Sequence, residues 1–289
     1  MTDTSPIRPI FQPLPDSQMR EADRSSLNKM PDYSDWEPVG PLDLALRSLT
    51  QPVVIHRKAW EYAMCMLGLE QLGVVTPDAA AIAIGAGTEP PLYHFSRLIR
   101  RMVATDLYEF PDNEGTPLML DDPSQFAPYP YPKERLEVYR MSGDMLDFPA
   151  DTFDFAFCLS SIEHFGTRDV QRATLEEMRR VTKPGGIVCI ITELILTDHA
   201  HAEYFTWEEI NEIFLAHPGL ELVGGAPDLR ISQSLTDYPV DLARSQHVSR
   251  SPHITLQRDG MVWTSFSMFL RNLPNKQPPA RKFWNLWGR

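Results

Sequence analysis

Short apolar runs in this chain end on glycines and acids that could hold a ligand. Residues 81–84 run into Gly85-Ala86-Gly87-Thr88-Glu89, and residues 102–105 end on Asp106. Glycines directly after a buried strand let the backbone turn sharply and approach a ligand closely. An acid about 20 residues further on accepts hydrogen bonds from ribose hydroxyls in nucleotide-binding sheets. The pattern therefore predicts a strand–helix–strand unit with a nucleotide site, although a Gly-x-Gly pair alone also serves ordinary turns.

Later segments extend this pattern in a recognisable order. Ser142-Gly143-Asp144-Met145, Leu159-Ser160 and Lys183-Pro184-Gly185-Gly186 each adjoin a predicted strand. In this order, over roughly residues 79–225, the segments resemble the class I S-adenosylmethionine (SAM)-dependent methyltransferases. A dehydrogenase would instead carry a third glycine near position 90. This chain has Pro90 there, directly after Glu89. The resemblance implies SAM as the cofactor.

The resemblance also assigns roles in cofactor binding. Asp106 would accept hydrogen bonds from the ribose diol, Asp144 would accept one from the adenine amino group, and Met145 would pack on the adenine ring. The full set of predicted cofactor-binding residues is Gly85, Ala86, Gly87, Glu89, Asp106, Leu107, Asp144, Met145, Leu159 and Ser160.

Two positions depart from the family pattern. The acid that usually stands two residues before the first glycine is Ala83 here, and the usual last glycine is Glu89. Glu89 could receive the ammonium of the methionine arm in place of the missing acid. Alternatively, Glu89 is a carboxylate at a helix N-terminus, where the helix dipole favours it.

The segment after the fourth predicted strand carries candidate catalytic groups, Glu163 and His164. A poorly acidic hydroxyl needs a general base or a metal before it can be methylated, and histidine can accept a proton near neutral pH. His164 is therefore the predicted base, with Glu163 beside it. The alternative is a histidine at a helix start that only packs or hydrogen-bonds.

A metal site is the lesser alternative. Small-RNA 2′-O-methyltransferases and ubiquinone-biosynthesis O-methyltransferases have a similar Glu-His pair, preceded by a further acid, and bind a divalent cation there. This chain matches Glu163 and His164 but has Ser160 in place of that acid. His199 and His201 could supply the missing ligands, in a set suited to zinc or a transition metal. The leading prediction is a site without a metal.

Apolar periodicity predicts a doubly wound α/β fold. The expected sheet is Rossmann-like, with seven mostly parallel strands and an antiparallel C-terminal hairpin around Asp259-Gly260. A helical cover is expected over residues 41–78, before a SAM-dependent methyltransferase domain over residues 79–273.

Three segments stand apart from this core. Residues 1–40 predict an extended arm, either solvated or lying over the active site. Residues 108–135, rich in proline, predict an insertion that either forms a substrate wall or is a surface excursion. Residues 274–289 form a basic, aromatic tail with no acids, which could contact a partner, a membrane surface or the protein itself.

Composition limits which binding partners and which cellular compartment are expected for this protein. The net charge of −12 argues against broad binding to nucleic-acid phosphates, so DNA is excluded and RNA fits poorly. No apolar run reaches membrane-spanning length, and the N-terminus has no secretion pattern. The cysteines Cys65, Cys158 and Cys189 lack metal-ligand spacing and are typical of core residues in a reducing compartment. We therefore expect a cytoplasmic protein, and the sequence leaves its oligomeric state open.

The predicted function is SAM-dependent methylation of a small molecule. Together with the glycine turn, the segments HRKAWEYA (56–63) and SSIEHFG (160–166) are similar to a bacterial methyltransferase group associated with sugar and polysaccharide biosynthesis. This favours O-methylation of a saccharide or another hydroxylated acceptor. Two alternatives remain: N-methylation of a small amine or protein side chain, and a non-catalytic subunit that acts through a partner.

Overall fold

A computed structural model describes residues 4–109, 116–243 and 252–274, which form a mixed α/β fold around a large central sheet. In chain order, the strands are β1 (Gln12–Leu14), β2 (Ala80–Ile84), β3 (Arg101–Asp106), β4 (Leu136–Arg140), β5 (Phe153–Leu159), β6 (Thr182–Ile195), β7 (Leu220–Leu222), β8 (Arg230–Ser232), β9 (Val240–Asp241), β10 (Leu256–Arg258) and β11 (Met261–Asn272). The helices are α1 (Asp16–Glu21), α2 (Pro41–Ser48), α3 (Arg57–Gln71), α4 (Pro90–Leu98), α5 (Arg168–Val181), α6 (Trp207–Ile210) and α7 (Gln233–Asp237).

The central sheet has the order β4-β3-β2-β5-β6-β11-β10-β9, and β7 pairs with β11. The strands from β4 to β6 are parallel to one another. β11 runs antiparallel to β6, β7 and β10. The predicted fold class and C-terminal hairpin are confirmed. The expected count of seven strands was too low, because the short strands β10 and β9 extend the described sheet beyond β11 to nine strands.

The order of the strands changes direction beside β2. After β2 the chain builds outward through β3 and β4, and it then returns to the other side of β2 to form β5 and β6. Ligands of open α/β sheets bind in the crevice outside the carboxyl ends of the strands at such a point. The turn that begins at Gly85 lies at this crevice.

Helices cover both faces of the sheet, which explains the uninterrupted apolar sequence of β2. Ala81 and Ala83 face a core that α2, α3 and α4 close. Ile82 and Ile84 face a second core, which α5 and α6 close. A strand buried on both faces reads as a continuous apolar run rather than an alternating one.

The N-terminal arm is packed against the rest of the protein along its described length, residues 4–40. β1 pairs in parallel with β8 to form a separate two-stranded sheet. The buried carboxylate of Asp35 accepts hydrogen bonds from Lys29 and from the indole of Trp60 in α3. The arm is thereby joined to the helix that covers the parallel strands.

The described part of the insertion, residues 116–135, packs against α4. The hydroxyl of Tyr93 donates a hydrogen bond to the carbonyl of Pro123, and the guanidinium of Arg97 lies over the ring of Tyr129. The predicted basic tail lies outside the described residues except for its first residue. None of the helices in the described ranges is long and apolar enough to cross a membrane.

Candidate functional site

A pocket of about 330 Å³ lies at the carboxyl end of the parallel strands, beside the glycine turn. Four of the predicted site residues line it: Gly85, Asp106, Leu107 and His164. The other lining residues were not among the predicted site residues; they are Met141, Ser142, Gly143, Ser161, Phe165, Gly166 and Val170. These residues follow β4 and β5 or begin α5, so only the folded chain brings them to the turn after β2.

Asp106 joins the end of β3 to the glycine turn. Its Oδ2 accepts a hydrogen bond from the backbone N–H of Gly87 at 3.0 Å, and its Oδ1 accepts one from Tyr108 N–H at 3.1 Å. Each carboxylate oxygen retains a further lone pair. Asp106 can therefore hold the turn and still accept hydrogen bonds from a ligand in the pocket.

Gly85 is required for both its conformation and its lack of a side chain. Its φ is +64°, and an added Cβ would lie 2.6 Å from Ser161 Cβ and 2.7 Å from the Phe165 ring. The hydroxyl of Ser161 also donates a hydrogen bond to the carbonyl of Gly85 at 2.9 Å. At Gly87, by contrast, φ is +46° and an added Cβ would meet no atom within 4 Å. The two glycines could not be distinguished from the sequence, because only the fold shows which atoms lie against each.

The other predicted cofactor residues lie around the pocket rather than in its lining. Asp144 accepts a hydrogen bond from the hydroxyl of Ser142, and Met145 is 74% exposed. Leu159 is buried at the end of β5. Ser160 has a φ of +48°, and its Oγ is buried without a hydrogen-bond partner in the described part of the chain. Their contacts with a cofactor remain predictions.

His164 faces the pocket and is held by a carboxylate that the sequence analysis missed. Its Nδ1 lies 3.0 Å from Oε2 of Glu203. Arg168 fixes the segment that carries Glu203, because its guanidinium donates to the carbonyls of Glu203 and Tyr204 and lies over the ring of Phe205. A carboxylate at Nδ1 can hold that nitrogen protonated and leave Nε2 free to accept a proton. Since 39 residues separate His164 and Glu203 in the chain, no local motif indicated their contact.

Glu163 lies beneath the pocket and is fully buried. Thr192 donates a hydrogen bond to its Oε2 at 2.8 Å, and Oε1 has no partner among the described residues. Burial, together with the nearby charge of Glu193, raises the pKa of Glu163 to about 8. The two predicted catalytic neighbours therefore separate in space, since His164 faces the pocket and Glu163 does not line it.

The first turn of α3 brings cations to the same end of the sheet. Lys58 Nζ donates to the carbonyl of Leu159 at 3.0 Å and lies 3.0 Å from Glu61 and 3.5 Å from Glu89. α3 was predicted only as part of the helical cover, and Lys58 was not among the predicted site residues. The spacing of Lys58 and Glu61, three residues apart on one helix, was a signal that could have revealed it.

The alternative metal ligands are not brought together. His199 Nδ1 lies 2.9 Å from the hydroxyl of Thr197, and His201 Nδ1 accepts hydrogen bonds from backbone N–H groups. In the described ranges, no three His, Cys, Asp or Glu side chains are grouped as metal ligands.

Residues 82–190 match the protein family described as "Methyltransferase domain". The match begins in β2 and ends in β6, and so includes every segment that lines the pocket. A comparison with curated protein sequences finds no match.

Several solved structures resemble this chain at low sequence identity. The [4+2]-cyclase SpnF is 14% identical with a TM-score of 0.50, and the alignment covers 87% of this chain and 100% of SpnF. A putative sarcosine dimethylglycine methyltransferase from Galdieria sulphuraria is 12% identical with a TM-score of 0.48, covering 75% and 85% of the two chains. A SAM-dependent methyltransferase from Aquifex aeolicus is 16% identical with a TM-score of 0.40, covering 71% and 88%.

Proposed function

We propose that this chain is a SAM-dependent enzyme of the class I type that methylates a hydroxyl of a small acceptor, with saccharides as the leading class, because residues 82–190 match a methyltransferase domain. The observation that carries the proposal is the position of His164. His164 lines the same pocket as Gly85 and Asp106, and Glu203 contacts its Nδ1. A proton acceptor thus lies at the pocket in which the cofactor would bind.

The residues present fit SAM. The pocket volume is within the range of small-molecule sites. The carboxylate of Asp106 has spare acceptor capacity for the ribose hydroxyls. The missing side chain at Gly87 leaves open space above the turn. SAM supplies the electrophilic methyl group.

The protein's contribution to the reaction is to position the acceptor and remove its proton. The Nε2 of His164 accepts the proton of the acceptor hydroxyl, while Glu203 holds the protonated Nδ1. The resulting imidazolium is stabilised by the carboxylate 3.0 Å away. General-base catalysis of this kind accelerates a reaction by roughly 100- to 10,000-fold. Alignment of the reactants supplies much of the remaining rate enhancement.

Transfer of a radiolabelled methyl group from SAM to a panel of acceptors tests this function. The panel contains sugars and sugar nucleotides, other small alcohols and phenols, and small amines. Label on a hydroxylated acceptor is the expected result. Label on amines alone would replace O-methylation with N-methylation. SAM binding without label on any member would favour the non-catalytic alternative.

A further inference from the structure

Five charged side chains form a connected group at the end of the sheet that carries the pocket. We call this group the charge cluster, and its members are Arg57, Lys58, Glu61, Glu89 and Glu193. Arg57 lies 2.6 Å from Glu193 and 3.1 Å from Glu61. Lys58 lies 3.0 Å from Glu61 and 3.5 Å from Glu89. Each member is thus joined to the next by an ion pair.

The charge cluster lies directly behind the segments that form the proposed cofactor site. Lys58 donates a hydrogen bond to the carbonyl of Leu159, the last residue of β5. Glu89 immediately precedes α4 and is two residues beyond Gly87. Glu193 lies in β6, close to its carboxyl end. The cluster therefore contacts three of the elements whose ends meet at the crevice.

The charges within the cluster do not balance. Three carboxyls face two cations, and the side chains of Glu61, Glu193 and Glu89 are respectively 0%, 4% and 11% exposed. An uncompensated buried charge is costly, so a carboxyl in excess becomes protonated unless a cation is added. Glu89 has the weakest partner of the three, at 3.5 Å. Burial raises the pKa of Glu89 to about 8, with Lys58 opposing the rise and Glu61 and Asp106 adding to it.

We propose that the charge cluster makes the cofactor site selective for a positively charged sulfur centre, so that SAM binds in preference to its demethylated product, S-adenosylhomocysteine. The sulfonium of SAM supplies the cation that the cluster lacks. S-adenosylhomocysteine keeps the ammonium and the carboxylate but has lost the sulfonium. Loss of that charge on methyl transfer weakens attraction to the cluster and assists product release. This inference rests on the proposed function.

The proposal makes cofactor selectivity depend on pH in a defined direction. The groups that face Glu89 are Lys58, Glu61, Tyr62 and Cys65 from α3, Asp106 at the end of β3, Tyr108 just beyond it, and Cys158 in β5. Below pH 8 the carboxyl of Glu89 is mostly protonated, and above it the carboxylate forms. An ionised Glu89 attracts the sulfonium, so the preference for SAM grows as pH rises.

Isothermal titration of the full-length protein at pH 6.5, 7.5 and 8.5 tests the proposal. The ligands are SAM, S-adenosylhomocysteine and sinefungin, in which an amine-bearing carbon replaces the methylated sulfur. From pH 6.5 to 8.5, the ratio of SAM affinity to S-adenosylhomocysteine affinity should rise at least about threefold, and at most about a hundredfold for one linked proton. Because the ammonium and carboxylate are common to these ligands, the ratio isolates the charge at sulfur. Sinefungin should follow SAM.

Two variants locate the effect. Glu89→Gln should keep the ratio low and constant with pH, since the amide is always neutral. Glu70→Gln removes the same charge from an exposed position in α3, where Glu70 pairs with His94, and should behave as the wild type. Thermal unfolding of both variants verifies that they are folded.

Each outcome of the titrations is informative. Binding of both natural ligands with a ratio that does not change with pH would overturn the charge-selectivity proposal and leave the methyltransferase function intact. Failure of the wild type to bind either ligand would instead contradict the cofactor site, and with it the proposed function.

Discussion

Asp106 and Gly87 are joined by a hydrogen bond of 3.0 Å from the backbone N–H of Gly87 to Oδ2 of Asp106. The bond connects the turn after β2 to the end of β3 and orients the carboxylate at the edge of the pocket. The conformation of the turn and the position of the acid are therefore coupled. Substitutions in the turn are expected to change the cofactor site even where they touch no ligand.

The two glycines of the turn should differ in their tolerance of alanine. Gly85→Ala places a Cβ against Ser161 and Phe165 in a left-handed conformation, so we expect it to lower the free energy of unfolding by about 2–4 kcal/mol. Gly87→Ala meets open space and should cost only the backbone strain, about 1–2 kcal/mol. Urea denaturation measures both values. Equal losses would contradict the packing described for Gly85.

His164→Ala should lower kcat for methyl transfer by roughly 100- to 10,000-fold, because the acceptor hydroxyl loses its base. The affinity for SAM should change little. His217→Ala is the matched control, since His217 also contacts a glutamate, Glu176, at 2.7 Å but does not line the pocket. Steady-state kinetics with the acceptor identified from the panel measures kcat for both variants. A decrease in kcat of only a few-fold in His164→Ala would contradict the role of His164 as the general base.

Asp35 should be a strong determinant of stability. Asp35→Asn leaves Arg24 and Lys29 buried without their shared carboxylate, and we expect a loss of about 3–5 kcal/mol. The exposed pair of Arg172 and Glu212 provides a control, and Glu212→Gln should change stability by less than about 0.5 kcal/mol. Urea denaturation compares the two. Similar small losses would show that the arm adds little to the fold.

Glu89 should make stability depend on pH. The pKa of Glu89 is about 8 in the fold, against an ordinary value of 4.5. Between these pH values the folded state holds a proton that the unfolded state has lost, so this contribution to stability falls as pH rises from about 5 to 8. Glu89→Gln has no such proton. Its unfolding free energy relative to the wild type should therefore increase over this range, and a constant difference would contradict the buried, protonated carboxyl.

Local patterns predicted the elements that position the site. The continuous apolar run before Gly85 identified β2, and the spacing of Asp106 identified the end of β3. These signals depend on residues close together in sequence, where backbone geometry and side-chain periodicity act directly.

Long-range contacts could not be predicted in the same way. The contact between Glu203 and His164 depends on a distant segment, which Arg168 holds through the carbonyls of Glu203 and Tyr204 and through the ring of Phe205. The apolar periodicity of α3 correctly indicated a helix with a buried face. Such a pattern does not predict which groups the side chain of Lys58 contacts. The burial of Glu163 beside an exposed His164 depends on how the chain leaves β5, which no spacing rule describes.

The binding of SAM to the wild type and to Asp106→Ala, measured by isothermal titration, tests the central claim most directly. Asp78→Ala, which alters an exposed acid away from the pocket, serves as the control. We predict that the wild type and Asp78→Ala bind SAM alike, and that Asp106→Ala binds at least about tenfold more weakly, because hydrogen bonds to a carboxylate contribute about 1.5–3 kcal/mol each. Absence of SAM binding by the wild type, or unchanged binding by Asp106→Ala, would contradict the assignment of the pocket.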